Sequence, residues 1–215
     1  MGYVLYSAQG TAALAPNIVL KEAQLPFVVS EVDIANGEHR KEEFLRVNPL
    51  GKVPALKTLD GRIMTEASAI CIFLTDFHEI RAMGPDPLHP DRPVFLSSLM
   101  YLSTTVQDLY KRVYYPARYT PEGASAAATR RLAISQLEAS WHSVDLFLRA
   151  NGPFHLGTRY SCVDAYMLML VSWHPKFDDL LTRYPAVSQC FYLTLEREAV
   201  NELVSKQKSI SVFAE

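Results

Sequence analysis

Apolar and polar positions change period several times in the first 78 residues, and each change marks an element. Tyr3 to Tyr6 is a short apolar run that reads as a strand, and Ala12 to Ala23 repeats Leu14, Ile18 and Val19 at helical spacing. "PFVVSEVDI" (26–34) is rich in β-branched residues and predicts a second strand. "HRKEEFLRVNP" (39–49) predicts a short charged helix stopped by Pro49. "VPALKTLDGRIMTE" (53–66) places two apolar runs around Asp60-Gly61, a hairpin signal, and Glu66 to His78 predicts an apolar helix. The order is βαβαββα.

After that the texture changes. "MGPDPLHPDRP" (83–93) is dense in proline and predicts a linker, placed at 80–92 between a mixed unit, 1–79, and a helical unit, 93–215. Long helical patterns follow at Val94–Tyr115, Ala124–Ala150 and Ser161–Trp173, then shorter ones after Pro175 and Pro185. Ser161 with Asp164 three residues on fits a capping box at the third of these. A mixed α/β domain followed by an all-α domain is the expected architecture.

Composition narrows the class. With 49% apolar residues, 20% charged residues and a net charge of −2, the 215-residue chain is ordinary for a globular protein, without the basic excess of a nucleic-acid binder. The start, "MGYVLYSAQG", lacks the charged and long apolar regions of a signal peptide, and Tyr6 stands where a myristoylation motif wants Ser or Thr. The most apolar stretch, Ala165 to Trp173, is far below the roughly 20 residues of a membrane span. Cys71, Cys162 and Cys190 are widely spaced and odd in number, so reduced thiols in a cytoplasmic protein are expected. No metal is expected: no cysteine pair has ligand spacing, and His142, His155 and His174 share none and are expected at the surface or as capping groups.

Four segments, in order, carry a resemblance to a known family: "VLYSAQGTAALAPNIVLKEAQLPF" (4–27), "VNPLGKVPAL" (47–56), "MTEASAI" (64–70) and "YSCVDAYML" (160–168). Together they resemble the cytosolic glutathione transferases, the first segment being most similar to the bacterial beta class. The resemblance spans the chain and implies a thioredoxin-like N-terminal domain and a helical C-terminal one. It implies a cis bond at Pro54, which would turn the backbone of Val53 toward the cysteinyl part of glutathione. Glu66 would take the ligand's ammonium and the N–H of Ala67 its carboxylate. Relatives often hold Ser at position 67, and Ser68 stands next to it here. Losing one such hydroxyl contact costs about 1 kcal/mol. Lys52 matches a partner for the glycyl carboxylate, whereas Asn48 before Pro49 also reads as turn chemistry. Ser161 and Asp164 match a folding device of the family, so Asp164 is not expected to be a catalytic acid.

The family's chemistry is the formation of a thiolate, which a hydrogen-bond donor at the sulfur and a helix N-terminus both favour. Matching the beta-class pattern puts its cysteine at Ala12 and its histidine at Asn17, so a mixed disulfide with glutathione at position 12 is excluded. Cys71 and Cys162 read as buried core residues. The remaining candidates, in order, are Thr11, which also reads as a plain helix N-cap, then Ser7 and Tyr6 at the end of the first strand. A fourth possibility is the main-chain N–H groups of Gly10 to Ala12.

"DLYKRVYYPARY" (108–119) resembles the beta-class helix that faces the second-substrate cleft. By that resemblance Tyr110, Lys111, Tyr114 and Trp173 line a pocket for a small hydrophobic electrophile, and Asp108 reaches a glutathione ammonium across a homodimer interface. Tyr115 is weighed beside them as a domain or interface residue. The expected activity is a glutathione transferase with glutathione as co-substrate; peroxidase and thiolytic activities are sub-options. The alternative is a non-catalytic, dimeric regulatory or binding protein of the same fold, which Ala12 and Ala67 favour.

Overall fold

The computed structural model describes residues 2–206. Met1 and residues 207–215, which the expected 1–79 and 93–215 units include, lie outside the described residues.

Four strands form one sheet: β1 (Tyr3–Ser7), β2 (Phe27–Glu31), β3 (Ala55–Lys57) and β4 (Ile63–Thr65), in the order β2-β1-β3-β4. β1 pairs parallel with β2, and β3 runs antiparallel to both β1 and β4. The parallel pair needs a crossover, which α1 (Leu14–Glu22) supplies. A 3-10 turn (Glu38–Arg40), α2 (Glu42–Val47) and α3 (Ala67–Phe77) complete this part. This is the βαβαββα order expected from the pattern, in the thioredoxin-like arrangement that the family resemblance implies.

Alternation along β1 decides what each face does. Tyr3, Leu5 and Ser7 are buried while Val4 and Tyr6 are half-buried. Tyr3 and Leu5 share a core with Ile18 and Val19 of α1 and Ile70 and Leu74 of α3. Tyr6 packs its ring edge-on against Phe44 of α2, centroids 6.0 Å apart. The loop entering β3 is tied by Asn48, whose side chain donates to the Lys52 carbonyl at 2.6 Å and accepts from the Leu50 N–H at 3.1 Å. Gly51 in that loop is left-handed, and a Cβ there would meet the His39 carbonyl at 2.8 Å.

An irregular stretch leads into the helices: α4 (Arg92–Met100), α5 (Gln107–Tyr114), α6 (Ala126–Asn151), α7 (Cys162–Ser172), α8 (Phe177–Arg183), α9 (Pro185–Leu195) and α10 (Glu198–Ser205). The single helix expected over Val94–Tyr115 is interrupted by a π-helical segment, Tyr101–Val106. There Ser103 and Thr104 both turn their hydroxyls back onto the Met100 carbonyl, at 3.2 and 2.8 Å. Such back-bonding competes with the ordinary helical ladder, and periodicity alone does not register it.

Helix α7 is the centre of the helical part, with every residue from Cys162 to Val171 buried. Its capping box is present. The Val163 N–H donates to Ser161 Oγ at 3.3 Å, and the Ser161 N–H donates to Asp164 Oδ2 at 2.8 Å. The other oxygen, Asp164 Oδ1, accepts from the His155 N–H at 2.9 Å and the Cys190 thiol at 3.4 Å and contacts His155 Nδ1 at 2.8 Å. Asp164 is thus a fully engaged internal hub, 0% exposed. Two of the histidines expected at the surface or as capping groups are interior: His155 against Asp164, and His174 with Nδ1 accepting from the Lys176 N–H at 3.2 Å. Burial holds the His174 imidazole below its ordinary pKa.

The two parts are locked together by charge and packing. Arg92 makes a bidentate pair with Asp76 of α3, 2.8 Å on each arm, and also donates to the Pro85 carbonyl at 2.9 Å. Arg197 pairs with Glu22 of α1 at 2.5 and 3.1 Å while its guanidinium lies over the Tyr160 ring. The Cys162 N–H donates to the Met83 carbonyl at 2.8 Å.

Candidate functional site

Strand register gathers three separate candidate segments at one end of the sheet. Tyr6 lies opposite Ala55, and Ala55 lies opposite Thr65. These three residues sit on adjacent strands, two steps of about 4.8 Å. The turn after β1 (Ser7–Thr11), the segment before β3 (Lys52, Val53, Pro54) and the segment after β4 (Glu66, Ala67, Ser68) therefore converge, although 60 and more residues separate the ends in sequence.

Each segment has a distinct local form. The Val53–Pro54 peptide is cis. Val53 is half-buried and Lys52 is exposed. Glu66 caps α3 with φ +67° and ψ 110°, a backbone conformation that is costly for a residue with a Cβ. Its side chain is exposed, while Ala67 and Ser68 in the first turn are buried. A residue held in this conformation at a helix N-terminus is a candidate for function, since local stability would favour glycine.

The β1–α1 turn departs from the expected form. Helix α1 begins at Leu14 with Ala13 at the N-cap, so Thr11 is not the cap. Gly10 is left-handed, φ +70°, and delays the helix by reversing the chain first. Thr11 Oγ1 donates to the Ala8 carbonyl at 2.6 Å and receives a long contact from the Ala13 N–H at 3.4 Å. Ser7 points to the α1 side, where it borders a depression of about 450 Å³ with Gln9, Asn17, Lys21 and Glu31. Tyr6 faces α2 instead. A larger depression, about 750 Å³, lies at the opposite end of the sheet around Gly2, Pro26 and Asp60, away from all candidate residues.

The helical candidates fall into two groups. Near Glu66, the buried Tyr166 donates its hydroxyl to Gln107 Oε1, which places the start of α5 beside α7. Burial pushes the Tyr166 hydroxyl up, with smaller contributions from Cys71 and the Glu66 charge. Asp108, the next residue, is held by Arg112 at 2.9 Å and lies 3.7 Å from Lys111. Further along α5 is an aromatic group. Tyr110 stacks on Tyr114 and meets Trp173 edge-on, with centroids 6.3 and 5.9 Å apart. Tyr114 donates its hydroxyl to the Trp173 carbonyl, and its burial raises its pKa to about 12. Tyr110 is only 1% exposed and accepts from the Trp141 indole N–H at 3.1 Å, which makes it an interior support of this group. The Tyr166–Gln107 bridge spans 59 residues and has no local signal in the sequence.

His155, Asp164 and Cys190 bring three potential metal-ligating atoms within 4.8 Å of one another. The donors already around Asp164 account for that proximity, and all three side chains are buried.

A thioredoxin-like sheet with a cis proline before β3, joined to an all-helical part, defines the class. Comparison with known proteins places the chain within it. The family profile described as glutathione S-transferase, N-terminal domain, matches residues 13–76. The structure of a glutathione transferase from Methylococcus capsulatus is 31% identical, covers 95% of this chain and 98% of its own, and superposes with a TM-score of 0.81. A glutathione transferase homologue from Sulfitobacter, solved with bound glutathione, is 25% identical over 95% of this chain and 98% of its own, with a TM-score of 0.84. Glutathione S-transferase GST-4.5 of Xanthomonas campestris is 26% identical over 172 residues, which is 80% of this chain and 82% of that protein. The chain belongs to the glutathione transferase superfamily. No helix among the described residues is long and apolar enough to cross a membrane.

Proposed function

We propose that this chain is a glutathione transferase that binds glutathione at the converging end of the sheet and directs its thiolate at a hydrophobic electrophile. The observation that carries the reading is the Tyr6–Ala55–Thr65 register, which brings the cis Val53–Pro54 peptide and the unusual Glu66 backbone to the same edge as the β1–α1 turn. Val53 offers its main chain to the cysteinyl portion, and Lys52 offers a charge to the glycyl carboxylate. Glu66 takes the ammonium, and the first-turn N–H groups of α3, at Ala67 and Ser68, take the γ-glutamyl carboxylate. The thiol proton passes to solvent. The sulfur then forms a bond to an electrophilic carbon, whose leaving group departs with the bonding pair.

The electrophile sits on the helical side, bordered by Tyr114, Trp173 and the stem of Lys111, with Tyr110 supporting them from within. The protein works as a cytoplasmic homodimer, in which Asp108 reaches the partner's ligand. The units are 1–79, 80–92 and 93–215. Exposed Phe77 and Ile63 on one part and Met100 and Tyr101 on the other support a self-association face.

A non-catalytic binding role is the second reading. It is favoured by Ala12, by Ala67 and by the engagement of the Thr11 hydroxyl with Ala8. Calorimetric titration with glutathione, followed by turnover of a chloronitrobenzene electrophile, separates the two. Binding with turnover supports the enzyme; binding without turnover of any electrophile class supports the second reading. Absence of binding at millimolar glutathione refutes the enzyme and leaves the non-catalytic regulatory or binding role.

A further inference from the structure

Three arginines outside the proposed transferase site gather around one depression. It has a volume of about 370 Å³ and lies between the stretch that follows α3 and the loop that precedes α7. Arg81, Arg159 and Arg197 line it together with Phe154, Leu156 and Tyr160, and no carboxylate among the described residues does. None of these residues belongs to the converging end of the sheet or to the aromatic group of α5. Both walls are fixed. The Cys162 N–H holds the first wall through the Met83 carbonyl at 2.8 Å, and in the loop the Phe154 and Gly157 main chains exchange hydrogen bonds of 2.9 and 3.1 Å.

Each guanidinium is steadied by a carboxylate. Arg81 Nη2 lies 2.8 Å from Asp86 and 3.7 Å from Glu79, Arg159 Nη2 pairs with Asp91, and Arg197 holds Glu22 through Nε and Nη2. Nε and Nη1 of both Arg81 and Arg159 make no hydrogen bond among the described residues, so each keeps donors for a ligand. The buried member is Tyr160, 9% exposed, with the Arg197 guanidinium 3.9 Å from its ring centroid. Its hydroxyl is enclosed and has no hydrogen-bond partner among the described residues. Burial pushes that hydroxyl well above its ordinary pKa, so it stays a protonated donor. A buried donor without an acceptor is rare in a folded chain and marks a place where a ligand oxygen fits.

Charge and shape then choose the ligand. The three guanidinium groups are matched by Glu22, Glu79, Asp86 and Asp91, so the surroundings carry no positive excess. A dianionic phosphate is disfavoured there, whereas a single carboxylate needs only one or two forked donors. The rings of Phe154 and Tyr160, edge to face with centroids 5.8 Å apart, and the Leu156 side chain offer an apolar wall for the rest of the molecule.

We propose that this depression is a second binding site, for a small aromatic carboxylate whose carboxyl group is taken by Arg81, Arg159 and the Tyr160 hydroxyl while its ring lies on Phe154 and Leu156. Arg197 is a positioning residue that fixes the Tyr160 ring. The site does not depend on the glutathione reading.

Calorimetric titration of the full-length protein with 2-naphthoate tests it, with and without millimolar S-hexylglutathione to fill the proposed glutathione and electrophile sites. The same affinity is expected in both. Arg81→Gln and Arg159→Gln are each expected to weaken it about tenfold, the scale of one lost charge-assisted hydrogen bond. Tyr160→Phe keeps the ring under Arg197 and is expected to weaken it about threefold without lowering the melting temperature. 2-Naphthylmethanol, without the charge, and 2-naphthyl phosphate, with two, are each expected to bind at least about tenfold more weakly. No binding of 2-naphthoate at millimolar concentration overturns the proposal. So does its displacement by S-hexylglutathione, or an affinity indifferent to both arginine changes. Equal or tighter binding of the phosphate overturns the choice of a carboxylate. None of these outcomes bears on glutathione binding, which is measured by its own titration.

Discussion

Glu66 concentrates the tension between stability and function in one residue. Its φ of +67° is unfavourable for any side chain with a Cβ, and its carboxylate makes no hydrogen bond among the described residues. Glu66→Gly is therefore expected to hold or raise stability, by up to about 1 kcal/mol, in a urea titration. The same change is expected to weaken glutathione binding roughly tenfold or more, the scale of one lost hydrogen bond to a charged group. A variant that is less stable and binds normally would show that Glu66 serves the fold alone. Asp164 is the converse case. Its carboxylate collects two main-chain N–H groups, a thiol, a hydroxyl and an imidazole in a site with no exposure. Asp164→Ala leaves those groups unpaired, and a loss of about 3–5 kcal/mol is expected in chemical denaturation.

At the scale of elements, α10 is held to α1 by exposed charges as well as by apolar packing. Glu202 lies between Lys206 at 2.7 Å and Lys21 at 2.5 Å, and those hydrogen bonds lower its pKa from 4.5 to about 2. A folded pKa below the unfolded one gives stability that is present above pH 4.5 and lost as pH falls toward 2. Glu202→Gln is expected to flatten that part of the acid-unfolding profile. Added salt should do the same, because the pair is solvent-exposed and screened. Helix α7 behaves differently, since its capping box and the burial of Cys162 to Val171 involve no exposed charge. Its amide hydrogens are expected to exchange among the slowest in the chain and those of α10 much faster.

At the scale of the whole molecule, the pair between Arg92 and Asp76 joins the sheet part to the helices. Arg92 is largely buried and Asp76 half-buried, so the pair is shielded more than a surface ion pair. Arg92→Met is expected to cost about 3 kcal/mol, because it leaves Asp76 and the Pro85 carbonyl without their donor. Adding Asp76→Asn should recover part of that loss, and a double-mutant cycle measures the coupling. The proposed dimer depends on Phe77, which is 60% exposed. Phe77→Asp is expected to shift sedimentation from dimer to monomer at micromolar protein; an unchanged dimer would move the interface elsewhere.

The sequence by itself determined the element order, the hairpin around Asp60-Gly61, the Ser161–Asp164 cap and the family motifs. All of these rest on residues within a few positions of one another, where periodicity and turn chemistry act. The tertiary structure alone decided which segments meet. Tyr6, Ala55 and Thr65 share a row through strand pairing, and Arg92, Arg197 and Tyr166 find partners 16, 175 and 59 residues away. Tyr110 read as a pocket aromatic from its motif and became an interior support, because helix packing, which no local pattern encodes, turned it toward Trp141. Thr11 was legible in the sequence as a candidate hydroxyl. Where its single proton goes depended on the fold of a six-residue turn, and there a contact of 2.6 Å to Ala8 outweighs any motif.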